Sequence, residues 1–197
     1  MDLSNYAKLT PEASARQIFA SYSYTRALPP ERIEELIAAG IGIGNELAQT
    51  VKTRHPGLAP SEIAAECGVA VSYERSEKNN ARFVKFAEYH AKSKQIHLNG
   101  NVIDFLDRIW PEARAGEVII AHELFHYYEM TEIELVSRRF SFERKLLGLI
   151  PIKHNLLPVS EIAANAFCKN LADLSFEPKL LETVYFDRIA AQGGSGD

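Results

Sequence analysis

Val118-Ile119-Ile120-Ala121-His122-Glu123-Leu124-Phe125-His126-Tyr127-Tyr128-Glu129 organises the reading of this chain. Apolar and aromatic side chains surround its polar members on almost every side, the composition of a helix packed inside a core rather than laid on a surface. Burying two imidazoles and a carboxylate there is costly unless each finds a partner. Within the run, His122, Glu123 and His126 form an H-E-x-x-H pattern. Side chains four apart on a helix share a face, with Cβ atoms about 5–6 Å apart, so the two imidazoles reach one metal ion from neighbouring turns. Glu123 lies about 100° around the helix from His122, placed to act as a base on water at that metal.

A catalytic zinc site takes three protein ligands and leaves a fourth position open. Glu161, 35 residues after His126, is the candidate third ligand. It falls in Pro158-Val159-Ser160-Glu161-Ile162-Ala163-Ala164-Asn165-Ala166-Phe167, which reads as a helix opened by Pro158 and Ser160 with an apolar stripe through Ile162, Ala163, Ala166, Phe167 and Leu171. Asn165, one turn on, shares the Glu161 face and is placed to accept the spare ring N–H of a ligating histidine. As donors for an oxyanion, His154, Tyr185, Tyr128 and Tyr127 all remain open.

The pairing of Ala121-His122-Glu123-Leu124-Phe125-His126 with Glu161-Ile162-Ala163-Ala164-Asn165-Ala166-Phe167 resembles the ImmA/IrrE metallopeptidases, whose pattern is H-E-L-x-H followed by E-x-x-A-N-x-F. Ile63 to Val71 and Ile96-His97-Leu98-Asn99 look similar to the strand entry and the later strand of that family, so the likeness runs from about Pro60 to Leu171. The resemblance implies Zn2+ held by His122, His126 and Glu161, with Glu123 as catalytic base. It also implies a protein substrate of the helix-turn-helix repressor class, cleaved in a stress response or during mobile-element induction. Phe125 replaces a usual glycine, and Cys168-Lys169 departs from a small apolar continuation. The resulting expectation is a zinc-dependent endopeptidase. The alternative is a non-proteolytic metal-binding regulator acting through a protein partner.

At 197 residues and 46% hydrophobic content, the chain has ample material for a sizeable core. A net charge of −4 and a pI near 5.9 offer no broad basic surface, which argues against direct nucleic-acid binding. The first residues lack the layout of a signal peptide and no run has the length of a membrane span, so the expectation is a cytoplasmic protein with no membrane contact. Cys67 and Cys168 read as free core thiols. The oligomeric state is left open.

Helical signals fill the first third: Pro11 to Tyr22, then a helix opened by Pro30 in which Gly40-Ile41-Gly42-Ile43-Gly44 marks packing or a kink rather than a phosphate loop. Arg54 to Pro60 is the internal boundary. The expected organisation is an N-terminal helical segment over 1–57, a metallopeptidase domain over 58–190 and a disordered tail over 191–197. Strands are expected at Val69 to Tyr73, Arg82 to Tyr89 and Gln95 to Leu98, with a hairpin turn at Ser76 to Asn80 joining the first two. The second of these alternates well enough to bind an extended peptide by strand addition. Glu132 to Leu149 reads as mostly amphipathic helix. The fold class is α+β, mostly helical, with a small and largely antiparallel three-stranded sheet beside the metal-site helices.

Overall fold

The computed structural model describes residues 9–75, 84–146 and 149–193. Helix α1 (Pro11–Ser21) starts where the Thr10 hydroxyl accepts from the Ala13 N–H at 3.2 Å, with Pro11 supplying a helical φ in its first turn. Helix α2 (Pro30–Arg54) runs through its glycines without a break. A Cβ built on Gly44 would sit 2.2 Å from the Ala163 carbonyl oxygen, and one on Gly40 would sit 3.0 Å from Ile162 Cγ2. These two glycines let α2 close on α7 (Leu157–Leu171), while Gly42 faces open space. The glycine pattern therefore marks helix packing.

Helix α3 (Pro60–Glu66) leads into β1 (Ala70–Glu74), followed by β2 (Ala87–His90) and β3 (Gln95–Asn99). The three-stranded sheet has the order β1-β3-β2 and is mixed: β1 pairs with β3 in parallel and β2 pairs with β3 antiparallel. β3 lies between the first two strands, so they do not form the expected hairpin; the turn read at Ser76 to Asn80 lies outside the described residues. Residue alternation identifies a strand but not its neighbour, which is why the order and the parallel pairing were not foreseen. Of the strand read over Arg82 to Tyr89, residues 82 and 83 lie outside the described residues and the ladder itself begins at Ala87. Ile96 and Leu98 point from β3 into the core and His97 to the other face.

Helix α4 (Gly100–Ile109), capped by the Asn99 side chain, precedes α5 (Ala115–Thr131), the helix of the opening stretch. α5 packs against α3, α4, α7 and strands β2 and β3, and Ile120, Leu124 and Phe125 are fully buried, as an all-round apolar helix requires. The helix expected from Glu132 to Leu149 is instead a short α6 (Val136–Arg139) followed by β4 (Ser141–Leu146) and β5 (Ile150–Asn155), an antiparallel pair. Phe142 stands opposite His154 in that ladder and their rings stack at 5.4 Å. Its strand character depends on this downstream partner, which the charged pattern of the segment alone does not reveal. Helix α8 (Lys179–Gly193) is the last element among the described residues.

One continuous core joins Ile18 and Phe19 of α1, Leu36 and Val51 of α2, and the buried residues of α5 and α7. Cys67 and Cys168 are free thiols. Cys168 is fully buried; its Sγ donates to the Val118 carbonyl at 3.1 Å, tying α7 to α5, and burial pushes its thiol pKa up. Among the described residues no helix is long and apolar enough to cross a membrane.

Candidate metal centre

His122 and His126 face α7 from successive turns of α5, and Glu161 faces them from the first turns of α7. His122 Nε2 lies 3.5 Å from Glu161 Oε2, and His126 Nε2 lies 3.9 Å from Glu161 Oε1. One ligand atom from each of the three residues falls within 4.8 Å of the others. Tetrahedral zinc with bonds near 2.05 Å sets ligand atoms about 3.3 Å apart, so closure of a few tenths of an ångström to about 1.5 Å completes the set.

The far ring nitrogens explain why Nε2 is the free atom on both histidines. His122 Nδ1 lies 3.2 Å from Asn165 Oδ1, and His126 Nδ1 lies 3.2 Å from Glu129 Oε2. A carboxylate only accepts, so the His126 Nδ1 carries a proton, and the Nε2 atom turned inward becomes a ligand once its own proton leaves. Asn165 Oδ1 imposes the same tautomer on His122. Asn165 thus stands where the helix spacing put it. Glu129 was not singled out from the sequence, although its position three residues after His126 on an otherwise apolar helix was the available signal. It is 3% exposed and also accepts from Ser160 Oγ at 2.8 Å and from the Val136 N–H at 2.7 Å, so its buried charge is fully hydrogen-bonded.

The charges interlock. Burial disfavours a charged His126 ring, but the Glu129 hydrogen bond and the nearby Glu161 and Glu123 carboxylates outweigh it and raise its pKa to about 9. Burial likewise opposes charge on Glu161; the hydrogen bond from His122 and the charges of His122, His126 and Lys179 take it down to about 2. An excess of negative charge around two imidazoles is the electrostatic setting that a divalent cation stabilises. Donor chemistry, convergence and supported tautomers all fit Zn2+.

Glu123 is 8% exposed, and its Oε2 accepts from the Tyr89 N–H at 2.8 Å. Tyr89 and Ile96 are a non-hydrogen-bonded pair of the antiparallel ladder, since the Tyr89 N–H goes to Glu123 and so points away from β3. The outward edge of β2 consequently faces the metal-site helix. Ala87, two residues back, presents its main-chain groups on the same side.

These groups line a cleft of about 750 Å³ bounded by β2, α5, α7 and the start of α8. A second cavity of about 430 Å³ lies on the other side of α7, towards α1 and α2; it contains none of the three ligand residues and shares only Ile18 and Asn165 with the cleft. The proposed oxyanion donors are placed elsewhere. His154 stacks on Tyr24 and Phe142, at 5.6 and 5.4 Å. Tyr185 packs edge-on against Phe86 and Phe105. Tyr128 is buried with its hydroxyl 3.2 Å from Cys67 Sγ, and Tyr127 packs edge-on against Tyr89. None of these four lines the cleft, whereas Tyr22, which no sequence signal marked, does.

No family model, curated protein or solved structure matches this chain.

Proposed function

We propose that this protein is a zinc-dependent endopeptidase acting on an extended segment of a protein substrate. The observation that carries the reading is the convergence of His122, His126 and Glu161 from two helices, with both Nε2 atoms turned inward and both Nδ1 atoms hydrogen-bonded. The likeness of the two motifs to the ImmA/IrrE metallopeptidases supports it and suggests a helix-turn-helix repressor as the substrate class.

A Zn2+ held by these three side chains supplies Lewis acidity, which polarises a carbonyl and lowers the pKa of water from roughly 16 to about 7. Glu123 performs the proton transfers: its carboxylate takes a proton from the attacking water and returns it to the leaving amine. The Tyr89 N–H holds one of its oxygens and thereby aims the other into the cleft. The Ala87 edge of β2 receives the substrate main chain as an added strand. Met130 and Leu157, about half exposed at the cleft, offer apolar surface to its side chains.

The test compares wild type with Glu123→Gln, each loaded with zinc, on a peptide library read by mass spectrometry. Both proteins bind one zinc, and new peptide termini appear with wild type while the variant loses about 10²-fold or more of that rate. Absence of stoichiometric zinc in wild type, or equal cleavage by both proteins, refutes the proposal.

A further inference from the structure

Peptide hydrolysis through a tetrahedral intermediate needs a donor for the oxygen of the scissile carbonyl, and the four side chains that sequence offered for it lie away from the cleft. We propose that the Tyr22 hydroxyl is that donor, making the N-terminal helical segment part of the active site; the inference rests on the metallopeptidase reading.

Tyr22 ends α1 at its C-cap, where the backbone leaves the helix at φ −98° and ψ 107° and the Tyr22 N–H still donates to the Phe19 carbonyl at 3.2 Å. That turn sends the partly buried ring into the same cleft as the three ligand residues and Glu123. The ring is braced edge-on by Tyr24 at 5.7 Å, and Tyr24 in turn stacks on His154. A braced ring places its hydroxyl with little entropy left to lose on substrate binding.

Availability separates Tyr22 from its neighbours. The Ser21 hydroxyl donates to the Ile18 carbonyl, Ser160 to Glu129, and the Lys85 and Lys179 ammonium groups are paired with Glu88 and Glu182. The Tyr22 hydroxyl has no hydrogen-bond partner among the described residues. Burial, and then the charge of Glu161, hold this phenol at a pKa of about 12, so it keeps its proton across the neutral range and works as a neutral donor. The hydroxyl keeps its proton throughout; it strengthens a hydrogen bond as the carbonyl oxygen gains charge.

Tyr22→Phe in the full-length, zinc-loaded protein removes the hydroxyl and keeps the ring. The expected result is a kcat lower by about 10²–10³ with little change in KM, as when a single oxyanion donor is lost. Zinc stoichiometry, zinc affinity and melting temperature stay at wild-type values. Calorimetry supplies a readout independent of turnover: a phosphonate peptide, which mimics the tetrahedral oxygens, loses affinity in parallel with kcat/KM, while an uncleaved ground-state peptide on Glu123→Gln binds alike with and without the hydroxyl. A kcat within about threefold of wild type, or a loss confined to KM, zinc binding or folding, overturns the assignment. Wild type without zinc-dependent turnover refutes the underlying peptidase reading instead.

Discussion

Replacing Gly44 with alanine tests whether the helix that carries Glu161 is positioned by close approach of α2. The new methyl would lie 2.2 Å from the Ala163 carbonyl oxygen, 2.8 Å from the Phe167 nitrogen and 2.9 Å from Ala166 Cβ. Ordinary contact begins at 3.4 Å, and two of these three neighbours are backbone atoms with no rotamer through which to escape. The helices must therefore separate by about 1 Å, at the upper end of the roughly 1–3 kcal/mol usual for overpacking. Alanine recovers about 1 kcal/mol of helix propensity, leaving a net loss of about 2 kcal/mol. Gly42→Ala is the matched control: nothing lies within 4 Å of its added methyl, so only the propensity gain of about 1 kcal/mol remains. The displacement also reaches the site, because α7 carries Glu161 and Asn165, and functional constellations tolerate only about 0.5 Å of error. Urea denaturation of the metal-free proteins measures the stability difference, and competition with a zinc chelator measures the site. The expected order of stability is Gly42→Ala above wild type above Gly44→Ala, with zinc affinity reduced in the last alone. A Gly44→Ala protein as stable as the Gly42→Ala protein, with undiminished zinc affinity, refutes the packing argument.

Glu129→Gln keeps the shape of its side chain but removes the carboxylate that fixes His126; zinc affinity falls by about 10–100-fold in a chelator competition, and Glu161→Ala, which deletes a ligand, costs more. A Glu129→Gln protein with wild-type affinity would show that this carboxylate does not position the ring. Zinc must displace the proton that His126 holds up to a pKa of about 9, so apparent affinity climbs about tenfold per pH unit below that value and levels off above it; a flat titration from pH 6.5 to 9 contradicts this. The metal-free fold responds in the opposite sense at the alkaline end. The raised His126 pKa contributes stability in full below about 6.5 and loses it as pH rises through about 9, while the depressed Glu161 pKa contributes above about 4.5 and loses it as pH falls towards 2. Melting temperatures of metal-free protein should therefore decline on both sides of the 4.5–6.5 interval, and a maximum near pH 9 would contradict that.

His122, Glu123 and His126 were legible because a helix places residues four apart on one face whatever surrounds it, and Asn165 followed from Glu161 by the same local rule. The all-round apolar composition of α5 and the apolar stripe of α7 could be read in the same local way. Beyond one helical turn that legibility ended. That Glu161 faces the two imidazoles is a property of how α5 packs on α7, and the sequence alone marked it only as a candidate. The order β1-β3-β2, the β4–β5 pairing, the hold of Tyr89 on Glu123 and the arrival of Tyr22 in the cleft, 100 residues ahead of His122, join segments with no shared periodicity. Each depends on which distant surfaces bury one another after the loops close, and that is settled by the packing of the whole core rather than by the propensity of either partner.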